Sequence, residues 1–226
     1  NHRNKKVRLY ELAKVYLPKS LPLTELPDER VQFTLGMYGE GDFYVMKGVV
    51  EEFFSKAGIR GKLSYDPKAG KTFLHPGRQA NIIYHGEVMG YLGEIHPQVA
   101  DNYGIGDKAY VAVLDMPVVV KYADFDRKFT GIARFPAVTR DLSMVVPHEI
   151  LAGDIEDMII QRGGKILESY QLFDVYEGSQ IKAGYKSMAY SVVFRAKDKT
   201  LEENEINTAM KKILNGLSSM GIELRQ

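Results

Sequence analysis

The chain has 226 residues, 45% of them hydrophobic and 26% charged, with 30 Lys and Arg against 29 Asp and Glu. This is the make-up of a soluble globular protein of one large or two ordinary domains, and the balance of +1 lacks the basic footprint that alone would argue for nucleic acid. The absence of cysteine excludes disulfides, thiolate zinc sites and cysteine nucleophiles. No apolar run is long enough to span a bilayer and no charged-then-apolar leader opens the chain, so a cytoplasmic protein away from membranes is expected.

The opening Asn1-His2-Arg3-Asn4-Lys5-Lys6 feeds straight into a strand-like segment, as in a fragment of a longer polypeptide. Val7 to Leu17 reads as a strand, with Val7, Leu9, Val15 and Leu17 on one face. Pro18, Pro22 and Pro27 then make a loop before a second strand at Val31 to Tyr38. Met46, Val49, Val50, Phe53 and Phe54 recur at helical spacing over Phe43 to Ala57, and Gly58 sits where the helix should stop. Leu63 to Tyr65 is a short strand. Gln79 to Tyr84 and Val88 to Ile95 form a hairpin about His85-Gly86-Glu87. A short helix near Gln98 to Tyr103 precedes a buried strand at Ala109 to Leu114. Asp124 to Lys128, charged and aperiodic, reads as linker.

The second half divides into strands and helices in the order βαββαβ. Leu142, Met144 and Val146 alternate with Asp141, Ser143 and Val145. Leu151, Ile155, Met158 and Ile159 form a helix stripe ended by Gly163-Gly164. Tyr170 and Leu172 oppose Ser169, Gln171 and Phe173, and Met188, Tyr190, Val192 and Phe194 alternate strictly. The final helix is expected to open at Thr200 with Glu203 completing a capping box. Two helices cover one face of such a sheet and leave the other free. Alternation places Ser143, Ser169, Gln171, Phe173, Ser191 and Arg195 on that free face, with Arg134, Arg140 and Asp141 at its leading edge.

No catalytic constellation is visible. His75, His85 and His96 sit beside turn residues and read as structural, not as a zinc site. Glu51-Glu52 and Glu202 to Glu205 read as solvated helix faces and first-turn dipole partners. Gly39-Glu40-Gly41 and Gly104-Ile105-Gly106 fail the dinucleotide spacing.

Arg134-Phe135-Pro136-Ala137-Val138-Thr139-Arg140-Asp141-Leu142, Leu172-Phe173-Asp174-Val175-Tyr176 and Gly221-Ile222-Glu223-Leu224-Arg225 resemble the ferredoxin-fold anticodon-binding domain that ends the β chain of bacterial phenylalanyl-tRNA synthetase. In the first half, Leu9-Tyr10-Glu11-Leu12-Ala13, Asp42-Phe43-Tyr44-Val45-Met46-Lys47, Leu74-His75-Pro76-Gly77-Arg78 and Gly90-Tyr91-Leu92-Gly93-Glu94-Ile95-His96-Pro97 resemble the synthetase-like core of the same β chain.

The resemblance implies an α+β protein. Residues 1–120 would form an antiparallel class II synthetase-like sheet with packed helices, 121–131 a linker, and 132–226 a ferredoxin-like βαββαβ domain. It implies a core that has lost its chemistry, and the residues agree at one place. After Ala109 to Leu114 a class II site needs a glycine-rich turn and an ATP arginine, yet Asp115-Met116-Pro117-Val118-Val119 follows. The fragment would hold no catalytic site, metal or cofactor, while the parent ligase uses ATP and magnesium through its α chain and through segments upstream of Asn1. Its partners would be phenylalanine tRNA and the catalytic α subunit, in a heterotetramer of two α and two β chains. The α chain would meet apolar surface near the Phe43–Ala57 helix or the Gln79–Ile95 hairpin. On the free face of the second domain, small polar residues would admit unstacked bases, Phe173 would offer a stacking plane, and the arginines phosphate or base-edge contacts. The near-neutral charge keeps a second reading open, a ferredoxin-like protein-interaction or regulatory module without RNA binding.

Overall fold

The computed structural model describes residues 4–129 and 131–225, which divide into two compact units at the boundary between Phe129 and Thr130. The first unit is built on six antiparallel strands, β1 (Val7–Leu17), β2 (Asp28–Tyr38), β3 (Ser64–Asp66), β4 (Leu74–Tyr84), β5 (Glu87–Ile95) and β6 (Ala109–Asp115), in the order β1-β2-β6-β5-β4-β3. Helix α1 (Phe43–Lys56) packs on it because Met46, Val50 and Phe54 share one stripe, buried with Ile82, Leu92, Ala112 and Leu114 of the central strands. Asp42 caps its first turn, accepting from the Val45 amide at 2.9 Å. Gly58 ends it in the left-handed region at φ 77, with the Asp124 carbonyl oxygen 1.6 Å from where a Cβ would stand. The β4–β5 turn is two residues long, Tyr84 pairing with Glu87, and His85 and Gly86 both take positive φ, as a type I′ turn requires.

One feature departs from the sequence reading. After α2 (Pro97–Asn102) and β6, the chain forms a further helix, α3 (Met116–Tyr122), whose last turn occupies the first two residues of the expected linker. Val118-Val119-Val120 masks it, since β-branched residues favour strands. Pro117 in its first turn is the residue that starts a helix without costing a hydrogen bond. Strand β1 pairs with β2 in an unbroken eleven-residue register, and Leu9 and Leu17, which share one face by alternation, are both exposed.

The second unit runs β7 (Val138–Pro147), α4 (Ala152–Gly163), β8 (Leu167–Tyr176), β9 (Tyr185–Phe194), α5 (Glu203–Ser219) and β10 (Glu223–Leu224). Its sheet order is β10-β7-β9-β8, with every neighbouring pair antiparallel. Both helices lie on one face. Leu142, Met144, Val146, Tyr190, Val192 and Phe194 meet Ile155, Ile159, Ile206 and Ile213 in a single core, each such side chain contributing about 1.5–3 kcal/mol when fully buried. The helices touch at Gly216, where a Cβ would lie 2.4 Å from the Met158 sulfur.

The start of α5 corrects the expected Thr200–Glu203 capping box. Leu201 is drawn into the core, which leaves Thr200 outside the helix and makes Glu202 the cap. The Glu202 amide donates to the Glu205 carboxylate at 3.1 Å, and Lys199 donates to the same carboxylate at 2.7 Å.

Candidate nucleic-acid interface

The uncovered face of the second sheet is laid out by register. Thr139, Val193 and Ser169 form one row across β7, β9 and β8, and Asp141, Ser191 and Gln171 the next. Ser143, Ala189 and Asp174 follow, then Val145, Ser187 and Tyr176. Ser143, Asp141, Ser169 and Gln171 are exposed and Ser191 is half-buried, so five of the expected residues share one polar surface of small side chains.

The other four stand differently. Phe173 is 56% exposed, but it occupies a break in the β8–β9 register. Leu172 pairs with Tyr190 and the next paired residue, Asp174, with Ala189. A bulge of this kind re-aims side chains, and it brings Asp174 and Tyr176 onto the free face beyond Phe173. Arg140 has the parity of Leu142 and Met144, not of Asp141, and its guanidinium reaches Glu203 at the start of α5 at 2.7 and 2.9 Å. Arg195 donates through Nε to both oxygens of Glu168 at 2.9 Å and through Nη1 to the Phe135 carbonyl at 2.6 Å. Both arginines are spent inside the unit. Arg134 is exposed and has no side-chain partner among the described residues.

One residue escaped the sequence reading. Arg225, beyond β10, donates its amide to the Ser143 carbonyl at 2.9 Å and its guanidinium to the Ser187 hydroxyl at 3.4 Å. It therefore crosses the free face above β7. Glu223 and Arg225 follow from the parity of the closing strand once that strand is paired with β7, so the signal was present in Glu223-Leu224-Arg225.

The electrostatics of this surface are mild. Described residues of the unit carry twelve Lys and Arg against thirteen Asp and Glu. The face itself presents Asp141, Asp174 and Glu223 beside Arg225. Such a surface suits stacking and base-edge hydrogen bonds better than phosphate contacts, which need cations. Tyr170 and Tyr190, on the helix-covered side, have hydroxyls raised above the ordinary range by burial first and nearby Glu156 second.

The first unit shows what stands where a nucleotide arginine is expected. Asp115 closes β6 and pairs with Arg30 at 2.8 Å, while the same guanidinium holds Asp28 at 2.5 Å. A triphosphate there would meet two carboxylates whose cation is already engaged. Glu94, buried at the end of β5, pairs with Arg78 at 3.0 Å. Tyr110 beside it is raised by burial and then by the Glu94 charge. His75 accepts from the Gly77 amide, His96 accepts from the Gln98 amide, and His85 stacks on Tyr122. Among the described residues no three His, Asp or Glu converge to hold a metal ion.

The family model described as phenylalanyl tRNA synthetase beta chain CLM domain matches residues 1–116. The chain belongs to the phenylalanyl-tRNA synthetase β-chain family. A second model, the ferredoxin-fold anticodon binding domain, matches residues 133–225, in agreement with the β10-β7-β9-β8 order. The phenylalanine–tRNA ligase beta subunit of Clostridium tetani is 43% identical over the whole chain, and that of Clostridium acetobutylicum 39%. The Streptococcus thermophilus subunit is 34% identical over 96% of the chain. The chain spans 28% of the length of each of these relatives. Among solved structures, a pyrrolysyl tRNA synthetase of Desulfitobacterium hafniense is similar over 52% of this chain and 41% of its own. Its TM-score is 0.41 and its identity 13%, too loose a likeness to bear on the fold.

Proposed function

We propose that the chain is a non-catalytic portion of the β subunit of a phenylalanine–tRNA ligase. Its second unit holds the anticodon region of phenylalanine tRNA, and its first unit is a scaffold for the catalytic α chain. The observation that carries this reading is the free, polar face of a sheet in a unit matching the anticodon-binding family. Unstacked bases would approach over Ser143, Ser169, Gln171 and Ser191, with Asp141 accepting from base edges, Phe173 offering a stacking plane and Arg134 a phosphate contact at the rim. Arg140 and Arg195 would act indirectly, by fixing the sheet edge.

For the α chain, the outer side of α1 offers Tyr44, Val45 and Val49, and the β4–β5 hairpin offers Val88, all exposed. ATP, magnesium and the aminoacylation chemistry would belong to the whole cytoplasmic enzyme of two α and two β chains. Binding a remote part of the tRNA orients its reacting end, so this portion would raise the rate without touching the bond that forms.

Titration of the purified chain with phenylalanine tRNA tests the reading, alongside phenylalanine-dependent pyrophosphate exchange. Saturable tRNA binding without exchange is expected. Exchange by the chain alone would overturn its non-catalytic role. An intact fold with no affinity for tRNA would favour the protein-interaction reading, to which the acidic tilt of the free face points.

A further inference from the structure

We infer that the outer edges of β1 from two copies of this chain pair antiparallel about Leu12, joining two sheets into one. The inference concerns the first unit alone and does not depend on the tRNA reading.

β1 ends the six-stranded sheet and has β2 as its neighbour. Its outer side receives no backbone hydrogen bond from any described residue. A long edge strand is normally blunted by proline, a bulge, shortness or charged side chains, and of these β1 has only the charges of Arg8, Glu11 and Lys14. β1 runs eleven residues without proline, and its register with β2 is unbroken. Along one of its faces stand Arg8, Tyr10, Leu12, Lys14 and Tyr16, all exposed, with Tyr10 at 76% and Leu12 at 59%. A strand whose outer edge no described residue pairs, and which exposes Tyr10, Leu12 and Tyr16, is a template for another strand.

The occupant follows from the order of these side chains. Directly opposed residues of an antiparallel pair present their backbone groups alike, so a strand pairing with its own copy is centred on a residue, not between two. Centred on Glu11, the pairing would oppose Glu11 to Glu11 and Arg8 to Lys14. Centred on Ala13, it would match Tyr10 with Tyr16 and Leu9 with Leu17 but oppose Lys14 to Leu12 and Glu11 to Val15, setting each of those charges against an aliphatic side chain. Centred on Leu12, it opposes Arg8 to Tyr16, Tyr10 to Lys14, Leu9 to Val15 and Leu12 to itself. That register contains no like-charged pair and sets each cation of the face against an aromatic ring, an attractive contact. Lys14 keeps its own Glu29 at 3.0 Å. The strand is thus complementary to itself, with both cations of this face set against aromatic rings in the register about Leu12, which points to a second copy and not to an unrelated chain.

The chain has no cysteine, so Leu12→Cys introduces a unique thiol. Opposed residues at the centre lie about 4.5–5.5 Å apart at Cα, within disulfide reach, whereas Tyr10→Cys places its thiols several residues apart along the strand. Mild oxidation of the full chain should cross-link Leu12→Cys into a covalent dimer and leave Tyr10→Cys without a cross-link. In sedimentation equilibrium, Leu12→Lys and Leu12→Glu should each weaken self-association about tenfold or more, since like charges then meet at the centre. Mixing those two variants should restore dimers. Circular dichroism checks that the exposed substitutions leave the fold intact. A monomeric parent chain at the highest soluble concentration would overturn the inference. So would a dimer untouched by Leu12→Lys, or cross-linking at Tyr10→Cys in place of Leu12→Cys.

Discussion

The Arg225 guanidinium donates to the Ser187 hydroxyl at 3.4 Å, across the uncovered face of the second sheet. Its amide is held by Ser143, so the backbone is placed by the sheet while the charge lies over the surface that bases would contact. Among the described residues its side chain has no carboxylate partner. Arg225→Ala is therefore expected to weaken tRNA binding. If the contact is to a phosphate, the log–log salt slope should fall by about 0.7. Titrations at several salt concentrations read both quantities.

Phe173 offers a different kind of contact. It is 56% exposed at a register break in β8 and takes no part in the buried core. Phe173→Ala should cost about 1–3 kcal/mol of tRNA affinity through lost stacking, with folding stability changed by less than about 0.5 kcal/mol. A binding titration beside a urea melt separates the two. Equal tRNA affinity in the variant would move the stacking platform elsewhere, with Tyr176 the next aromatic on the same face.

Arg195 should show the reverse pattern. Its guanidinium joins Glu168 on β8 to the Phe135 carbonyl on the approach to β7. Arg195→Ala removes an ion pair and a half-buried hydrogen bond, so a stability loss of about 0.5–1.5 kcal/mol is expected, with the salt slope of tRNA binding unchanged. Chemical denaturation of the chain checks the first, and salt-dependent titration the second.

These contrasts show which parts of the molecule a sequence can disclose. Local periodicity was enough for β9, because Met188, Tyr190, Val192 and Phe194 alternate without interruption, and for α1, because Met46, Val50 and Phe54 mark one stripe. The polar face was readable for the same reason at Ser143, Ser169, Gln171 and Ser191. Pairings across long stretches of chain were not. Arg140 finds Glu203 and Arg195 finds Glu168, partners that no spacing rule names. The break at Phe173 shifts the alternation of β8 without leaving a glycine or proline to announce it. At α3, three successive valines outweighed Pro117, the one residue that signalled a helix start.

Gly58 tests how the first unit is closed. It ends α1 in a left-handed conformation, and a Cβ there would fall 1.6 Å from the Asp124 carbonyl oxygen. The Asp124 amide in turn donates to the Ala57 carbonyl at 3.1 Å. Any side chain must displace that backbone as well as adopt a conformation that L-residues avoid. Gly58→Ala is expected to destabilise the first unit by about 2–4 kcal/mol. A second-unit transition unchanged in the same thermal scan would confirm that the damage is local.

The Lys199–Glu205 pair makes the entry to α5 sensitive to pH. Hydrogen bonding to Lys199, then to the Glu202 amide, holds the Glu205 carboxyl below its ordinary value of 4.5, and the same pairing raises Lys199. A carboxyl depressed in the folded state favours folding above its unfolded value and loses that contribution as pH falls through the lower folded value. A raised lysine contributes fully below its unfolded value of 10.5, and its share is lost as pH rises through the folded one. At neutral pH both contributions are present. Glu205→Gln keeps an acceptor for the Glu202 amide but removes the charge. It should lower the melting temperature of the second unit at pH 7 and converge with the parent chain well below the ordinary carboxylate range. A difference that persisted at acid pH would show that Glu205 acts through packing or capping geometry, not through its charge.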